Sequence, residues 1–260
     1  MESKIVRAIG LQNSPIAVMW TDERPDEGVC FQEGKVVCVG PMLVAASKGR
    51  TVYFDQKAIG CPGGKASLGF GAIDSKNEFP GGIEYFLSTG YKELYKTEEG
   101  RRLAEAIPAL AEGEGYYKNP EVAKKIIQSL PMLDLSTKYV VFKPLEKVTA
   151  AESPKVVIFL VSADQLSALL VLANYEGEHN QNVIAPMGSG CSTIGSIPYS
   201  EEDSETPRAV LGLFDISIRR YFDKNTLSFS IPYKLFKKME GNVEGSFLEK
   251  EDWLELLARN

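Results

Sequence analysis

Short runs of apolar residues, separated by polar and glycine-rich segments, recur along the whole chain and predict β-strands. The runs lie at residues 15–20, 51–54, 138–144, 155–161, 182–186 and 209–214. The run at 155–161 is unbroken, which is typical of a strand buried on both faces of a sheet. Apolar and polar residues alternate at 226–231, and this pattern predicts a strand buried on one face only.

Helical spacing of apolar residues, with capping residues at the start and glycine or proline at the end, predicts helices between these strands. The predicted helices lie at residues 3–9, 39–48, 82–89, 97–107, 119–130, 162–174, 232–239 and 248–259. Helical patterns alone fill residues 81–131, so we predict a single domain over 1–260 with a helical insertion at about 81–131. The elements together predict an α/β or mixed α+β fold, with a central mixed sheet and flanking helices. We find no internal repeat in the sequence.

The net charge of the 260-residue chain is −6, which argues against nucleic acid as a partner because phosphate binding requires a concentrated basic face. The N-terminal segment MESKIVRAIGL lacks the apolar core of a signal peptide. No apolar run approaches the ~20 residues that a membrane helix needs. We therefore expect a cytoplasmic protein with no membrane contact. In that compartment the four cysteines are expected to be free thiols, metal ligands or redox groups rather than disulfides.

Two glycine-rich stretches that each carry a cysteine are the most informative motifs. The first, IGCPGGKASLGFGAI at residues 59–73, contains Cys61, and the second, APMGSGCSTIGSIPY at residues 185–199, contains Cys191. Dense glycine means that the backbone turns tightly or approaches another group closely. We therefore predict one ligand site that is built from both stretches. Its predicted ligand-binding residues are Gly63, Gly64, Lys65, Gly188 and Gly190.

The cysteines form no Cys-x-x-Cys pair, so any site that they share has to be assembled in space. Soft thiolate ligands suit an iron–sulfur cluster as the first choice and zinc as the second. Cys61 and Cys191 are the central predicted ligands, with Cys38 as the third. Cys30 is a candidate fourth ligand. The competing interpretation is that each cysteine is a small buried apolar side chain, which fits the apolar neighbours of Cys30 and Cys38 best.

Two metal-free alternatives use the same first stretch. An anionic ligand could bind the amides of Gly63 and Gly64 with Lys65 as counter-charge, although the stretch departs from the spacing of a P-loop. Alternatively, Cys61 could be a catalytic nucleophile, since a helix start and a nearby lysine both favour the thiolate. The single histidine, His179, lies in a polar segment whose spacing does not indicate a catalytic base.

The order of several motifs resembles the domain of unknown function 169 family, which occurs largely in archaea and anaerobic bacteria. The matching motifs are SPIAV, VGPMLVAASKG, TVYF, GCPGGKASLGFG, SGCSTIG and LSFSIPYKLFKKM, in this order. Cys38, Cys61 and Cys191 fall within or beside these motifs, whereas Cys30 does not. The resemblance implies no activity, but an anaerobic setting is compatible with oxygen-sensitive iron–sulfur chemistry. We expect a binding or redox protein whose partner is a small-molecule ligand or a redox protein.

Overall fold

The computed structural model describes residues 2–31, 37–71 and 79–259. Eight strands within these residues form one mixed sheet, which confirms the predicted central sheet with flanking helices. The strands are β1 (Ile16–Thr21), β2 (Val29–Cys30), β3 (Val52–Asp55), β4 (Tyr139–Pro144), β5 (Val156–Val161), β6 (Val183–Ile184), β7 (Ala209–Gly212) and β8 (Leu227–Pro232). Their order across the sheet is β2-β3-β4-β1-β5-β8-β7-β6.

The two halves of this sheet have the same topology. In the first half, β1 pairs antiparallel with β4, β4 antiparallel with β3, and β3 parallel with β2. In the second half, β5, β8, β7 and β6 repeat these three pairings in the same order. The strand topology is therefore duplicated, although the sequence analysis found no repeat.

The register of the strands shows that a local two-fold axis relates the halves. β1 and β5 are antiparallel neighbours at the centre of the sheet, so half a turn about an axis between them exchanges the two halves. In the first half, Ile16 at the start of β1 pairs with Pro144 at the end of β4. In the second half, Val156 at the start of β5 pairs with Pro232 at the end of β8, so the two pairs correspond. This correspondence identifies equivalent residues in the two halves.

Side chains of each strand alternate between two faces of the sheet, which we call face A and face B. Face A runs continuously across both halves and is buried against helices. Its strand residues in the first half include Val18, Phe54 and Phe142, and those in the second half include Ile158 and Leu160. Face A is therefore one shared core that joins the halves.

Face B is buried mainly in the second half. There a large cluster packs around Phe159, Phe229 and Phe236. Face B of the first half carries a small cluster, in which the buried residues are Met19, Tyr53 and Val141.

Thirteen α-helices occur among the described residues. They are α1 (Lys4–Ala8), α2 (Gly40–Ser47), α3 (Pro62–Ser67), α4 (Ile83–Phe86), α5 (Glu98–Ala106), α6 (Pro108–Glu112), α7 (Pro120–Ser129), α8 (Ala163–Ala173), α9 (Gly190–Ile194), α10 (Ser196–Glu202), α11 (Ile216–Arg219), α12 (Tyr233–Gly241) and α13 (Glu251–Leu257). Four of the predicted helices begin at a capping residue. The side chain of each capping residue accepts a hydrogen bond from a backbone N–H of the first turn. The capping residues are Ser3, Thr97, Asn119 and Ser162.

Residues 71–132 form one compact unit, and residues 1–70 with 133–260 form another. The smaller unit contains α4 to α7 around its own buried core of Leu94, Ala104, Leu110 and Ala111. Gly90 has a φ of 73°, and a Cβ at this position would lie 2.1 Å from the carbonyl oxygen of Ala111. Only glycine therefore fits there. The interpretation of this segment as an insertion in a single domain stays a prediction.

Three local expectations from the sequence need correction. β8 is not half-buried, because Ser228 and Ser230 lie on face A and are as inaccessible as their apolar neighbours. The polar residues around Cys30 predict a connector, but Cys30 lies in the edge strand β2. The dense glycines of residues 59–73 predict a loop, but Gly63 and Gly64 lie in helix α3. Throughout the described ranges, each helix is too short or too polar to cross a membrane.

Candidate functional site

Three of the four cysteines lie at the starts of helices on the side of the sheet where face A is buried. Cys38 stands two residues before α2, Cys61 is the N-cap residue of α3, and Cys191 is the second residue of α9. Cys191 is part of the core on face A, and Cys38 packs against that core. The fold thus brings together thiols that are separated by up to 153 residues in the sequence.

The three thiols influence one another electrostatically. Burial raises the pKa of the Cys191 thiol well above its ordinary value, and the nearby Cys61, Cys38 and Asp215 raise it further. Burial also raises the pKa of Cys38, where a hydrogen bond from the backbone N–H of Gly40 acts in the opposite direction. Cys61 and Asp215 add to the increase at Cys38. These groups would repel one another if all were ionised, so a nearby positive charge would stabilise their anionic forms.

Three serine hydroxyl groups join the elements that carry Cys61 and Cys191. The Oγ atom of Ser67, at the end of α3, lies 2.9 Å from the Oγ of Ser192 and 3.3 Å from the Oγ of Ser189. Ser189 and Ser192 are themselves 2.9 Å apart, and Ser189 caps α9 by accepting a hydrogen bond from the N–H of Ser192. This hydrogen-bonded triangle, in which Ser67 and Ser192 are buried, fixes α3 of the first half against α9 of the second.

Cys30 does not join the other three cysteines. It pairs with Tyr53 in the sheet and packs in the small cluster on face B, whereas Cys38 and Cys191 pack on face A. Burial and the charge of Asp55 raise its pKa, and Arg24 lowers it. Cys30 is separated from the other cysteines because side chains alternate between the two faces along a strand, and the side chain of Cys30 lies on face B.

The predicted ligand-binding residues lie in or beside α3 and α9, the helices that carry Cys61 and Cys191, and they differ in burial. Gly63 and Lys65 are half-buried residues of α3, and Gly64 is buried against Val39. Gly188 is buried in the segment before α9, and Gly190 is the first residue of that helix. The roles of these residues in binding an anionic ligand, and of Cys61 in catalysis, stay predictions.

Asp215, which no sequence motif singled out, lies close enough to Cys191 and Cys38 for its charge to affect them. Asp215 is the N-cap residue of α11, and its Oδ1 accepts hydrogen bonds from the N–H and the hydroxyl of Ser217 at 2.9 and 2.7 Å. Its Oδ2 accepts a longer hydrogen bond of 3.4 Å from the N–H of Gly190, next to Cys191. The Asp-x-Ser pattern after a predicted strand was the available signal, because aspartate is a preferred N-cap residue.

The arrangement is not a preformed site for a single metal ion. Among residues 2–31, 37–71 and 79–259, no three His, Cys, Asp or Glu side chains are grouped so that they could hold one ion. A tetrahedral zinc site requires sulfur atoms about 2.3 Å from the metal, and hence close to one another. Zinc and the iron–sulfur cluster both stay predictions.

Comparison with known proteins identifies a family without a known activity. A search of the curated proteins and a search of the solved structures each gave no match. The model of the domain of unknown function 169 family, described as "Uncharacterised ArCR", matches residues 4–242. Since this match covers most of the 260 residues, the chain belongs to the domain of unknown function 169 family.

Proposed function

We propose that Cys38, Cys61 and Cys191 bind a four-iron iron–sulfur cluster, and that the protein acts through it as a redox or ligand-binding protein. The observation that carries the proposal is the convergence of these three thiols from three distant segments, close enough for their charges to interact. Cysteine thiolates are the usual ligands of such clusters. Three thiolates leave one iron with a different ligand, which would give a substrate or a redox partner a place to act.

A cluster places its thiolate ligands farther apart than a single metal ion does. In a cluster each thiolate binds a different iron, and the iron and sulfide atoms lie between the cysteines. Thiols that interact without forming a single-ion site are therefore compatible with a cluster and less compatible with zinc.

The surroundings of the thiols also suit a cluster. Cys191 is buried among apolar residues that include Ile194 and Leu213, and such a shell limits access of solvent to a metal centre. The backbone N–H of Gly40 lies 3.4 Å from the Sγ of Cys38, and hydrogen bonds of this kind tune the potential of clusters. Burial and mutual repulsion raise the pKa values of Cys38 and Cys191, so iron would have to displace protons from these two thiols.

The test is the iron and acid-labile sulfide content of the protein purified without oxygen, together with its visible spectrum. We expect iron and sulfide in near-equal amounts, about four of each per chain for a four-iron cluster. The single substitutions Cys38→Ser, Cys61→Ser and Cys191→Ser should each remove most of the iron and the broad visible absorbance.

Cys30→Ser provides the matched control, because Cys30 is also a partly buried thiol but lies on the other face of the sheet. This variant should keep the iron content and the spectrum of the unmodified protein. An unmodified protein that holds no iron, even after anaerobic reconstitution with iron and sulfide, would contradict the proposal. Equal loss of iron in all four variants would contradict the assignment of the ligands.

A further inference from the structure

The duplicated topology gives each half of the sheet two equivalent helix starts. α2 and α9 each follow the second strand of their half, and α3 and α11 each follow the third strand. Cys38 precedes α2 and Cys191 lies in the first turn of α9, so these two thiols have equivalent places in the topology. The remaining pair consists of Cys61, the N-cap residue of α3, and Asp215, the N-cap residue of α11.

Contacts between the halves follow the same symmetry. α3 of the first half contacts α9 of the second through the hydroxyls of Ser67 and Ser192. The symmetric counterpart is a contact of α2 with α11, and Gly40 makes it. A Cβ on Gly40 would come within 2.6 Å of Tyr221, two residues after α11, and within 3.1 Å of Ile218 in α11. The first turn of one helix in each half therefore lies against a helix of the other half, on both sides of the two-fold axis.

The backbone before Asp215 is held in an uncommon conformation. Leu213 is a buried residue with a φ of 63°, in the left-handed region that side chains other than glycine rarely adopt. Its N–H lies 3.4 Å from the Oγ1 of Thr193 in α9. Strained residues of this kind persist where the surrounding structure imposes them, and they cluster at functional sites. Here the conformation occurs directly after β7, two residues before Asp215.

We infer that Asp215 is the fourth ligand of the cysteine site, the counterpart in the second half of Cys61 in the first. This inference rests on the proposed cluster. The Ser217 hydrogen bonds engage Oδ1 and hold the carboxylate in place, while Oδ2 is turned towards Gly190 and the cysteine segment. The site then takes two ligands from each half, with sulfur at three positions and oxygen at one.

An oxygen ligand makes one iron different from the other three. Carboxylate oxygen is a harder ligand than thiolate and suits the iron of a cluster less well. The iron held by Asp215 is therefore the most readily released and exchanged. A cluster held in this way would release one Fe²⁺ when it gives one electron to an oxidant, and three irons with all four sulfides would remain on the three cysteines.

The experiment treats the anaerobically reconstituted protein with ferricyanide, which accepts the electron, and follows iron content and the electron paramagnetic resonance spectrum. We expect the unmodified protein to lose one iron in four and to give the signal of a three-iron cluster. Asp215→Cys should keep all four irons under the same treatment, because a fourth thiolate replaces the oxygen ligand. Asp215→Asn, which retains a side chain able to cap α11, should lose the fourth iron before ferricyanide is added.

Asp55→Asn is the matched control, because Asp55 also accepts backbone hydrogen bonds in a turn but interacts with Cys30 instead of the other cysteines. This variant should behave as the unmodified protein does. If the unmodified protein holds a cluster, and Asp215→Cys and Asp215→Asn lose iron just as it does, the assignment of Asp215 is overturned while the proposed function stands. If the unmodified protein holds no iron, the proposed function is overturned and this inference with it.

Discussion

The two halves of the sheet share one topology, but face B is buried more completely in the second half than in the first. Face B of the second half is covered by α1, α8 and α12, which contribute residues such as Ile5, Leu172 and Phe236 to the large core. In the first half the connector between β1 and β2 is not helical, and a cavity of about 650 Å³ opens over Met19, Val141 and Lys143. The same strand arrangement therefore supports a packed core on one side and a polar cavity on the other.

Equivalent residues show how the sequence produces this difference. Lys143 in β4 corresponds to Ile231 in β8, so the position that is charged in the first half is part of the core in the second. On face A the exchange is reversed, because Val140 and Phe142 correspond to Ser228 and Ser230. The strand pairing tolerates both exchanges, since the backbone hydrogen bonds do not depend on the side chains. The topology is therefore symmetric, whereas the side chains determine how completely each face of each half is buried.

We expect the largest difference in the free energy of unfolding between variants at the equivalent face B positions Phe229 and Val141. Phe229→Ala should lower the free energy of unfolding by about 3–5 kcal/mol, because it leaves a large cavity in a closed core. Val141→Ala removes less apolar surface from a small cluster beside an open cavity and should cost about 2 kcal/mol. Urea denaturation of both variants measures the two costs. Equal costs would contradict the comparison, because they would mean that the smaller cluster around Val141 loses more stability per atom removed than the core around Phe229.

Ser228 and Ser230 provide a sharper test of face A. Both side chains are fully buried, and their hydroxyls have no hydrogen-bond partner within the part of the chain that the structure describes. Removing a buried hydroxyl that lacks a partner is neutral or stabilising, so Ser228→Ala and Ser230→Ala should raise the free energy of unfolding by roughly 0–1 kcal/mol. Thermal and urea unfolding check this. A loss above about 1 kcal/mol would mean that each hydroxyl is hydrogen-bonded, for example to buried water.

The smallest effect concerns the ion pair between Lys143 and Glu152 on face B of the first half, where the Nζ–Oε1 distance is 2.7 Å. Burial of Glu152 opposes its ionisation, but hydrogen bonds from Lys143 and Thr149 outweigh this and lower its pKa. A pKa that is lower in the folded state contributes stability above the unfolded value of about 4.3, and this contribution is lost as the pH falls through the folded value.

Glu152→Gln should therefore cost less than about 1 kcal/mol at pH 7, since both side chains are partly exposed. The difference between this variant and the unmodified protein should disappear in acid. Urea denaturation at pH 7 and at pH 3 gives both values. A difference that persists unchanged at the lower pH would mean that the carboxylate charge is not its source.

The sequence by itself determined the local elements and the family. The unbroken apolar run at 155–161 specified a fully buried strand, and Ser3, Thr97, Asn119 and Ser162 specified where helices begin, because capping and periodicity act between residues close in the chain. The ordered motifs also identified the family that the match over residues 4–242 shows. These properties depend on neighbours in sequence, so sequence reasoning reaches them.

Only the tertiary structure decided which distant residues meet. Glycine spacing indicated that Cys61 and Cys191 could share a site, but the separation of Cys30 depends on which face of β2 it occupies. The place of Asp215 depends on strand pairings between segments more than 70 residues apart, which no local pattern encodes. The duplicated topology was hidden for the same reason. Hydrogen bonds of the main chain preserve strand order while the side chains of the two halves diverge, so the symmetry survives in the register and not in the residues.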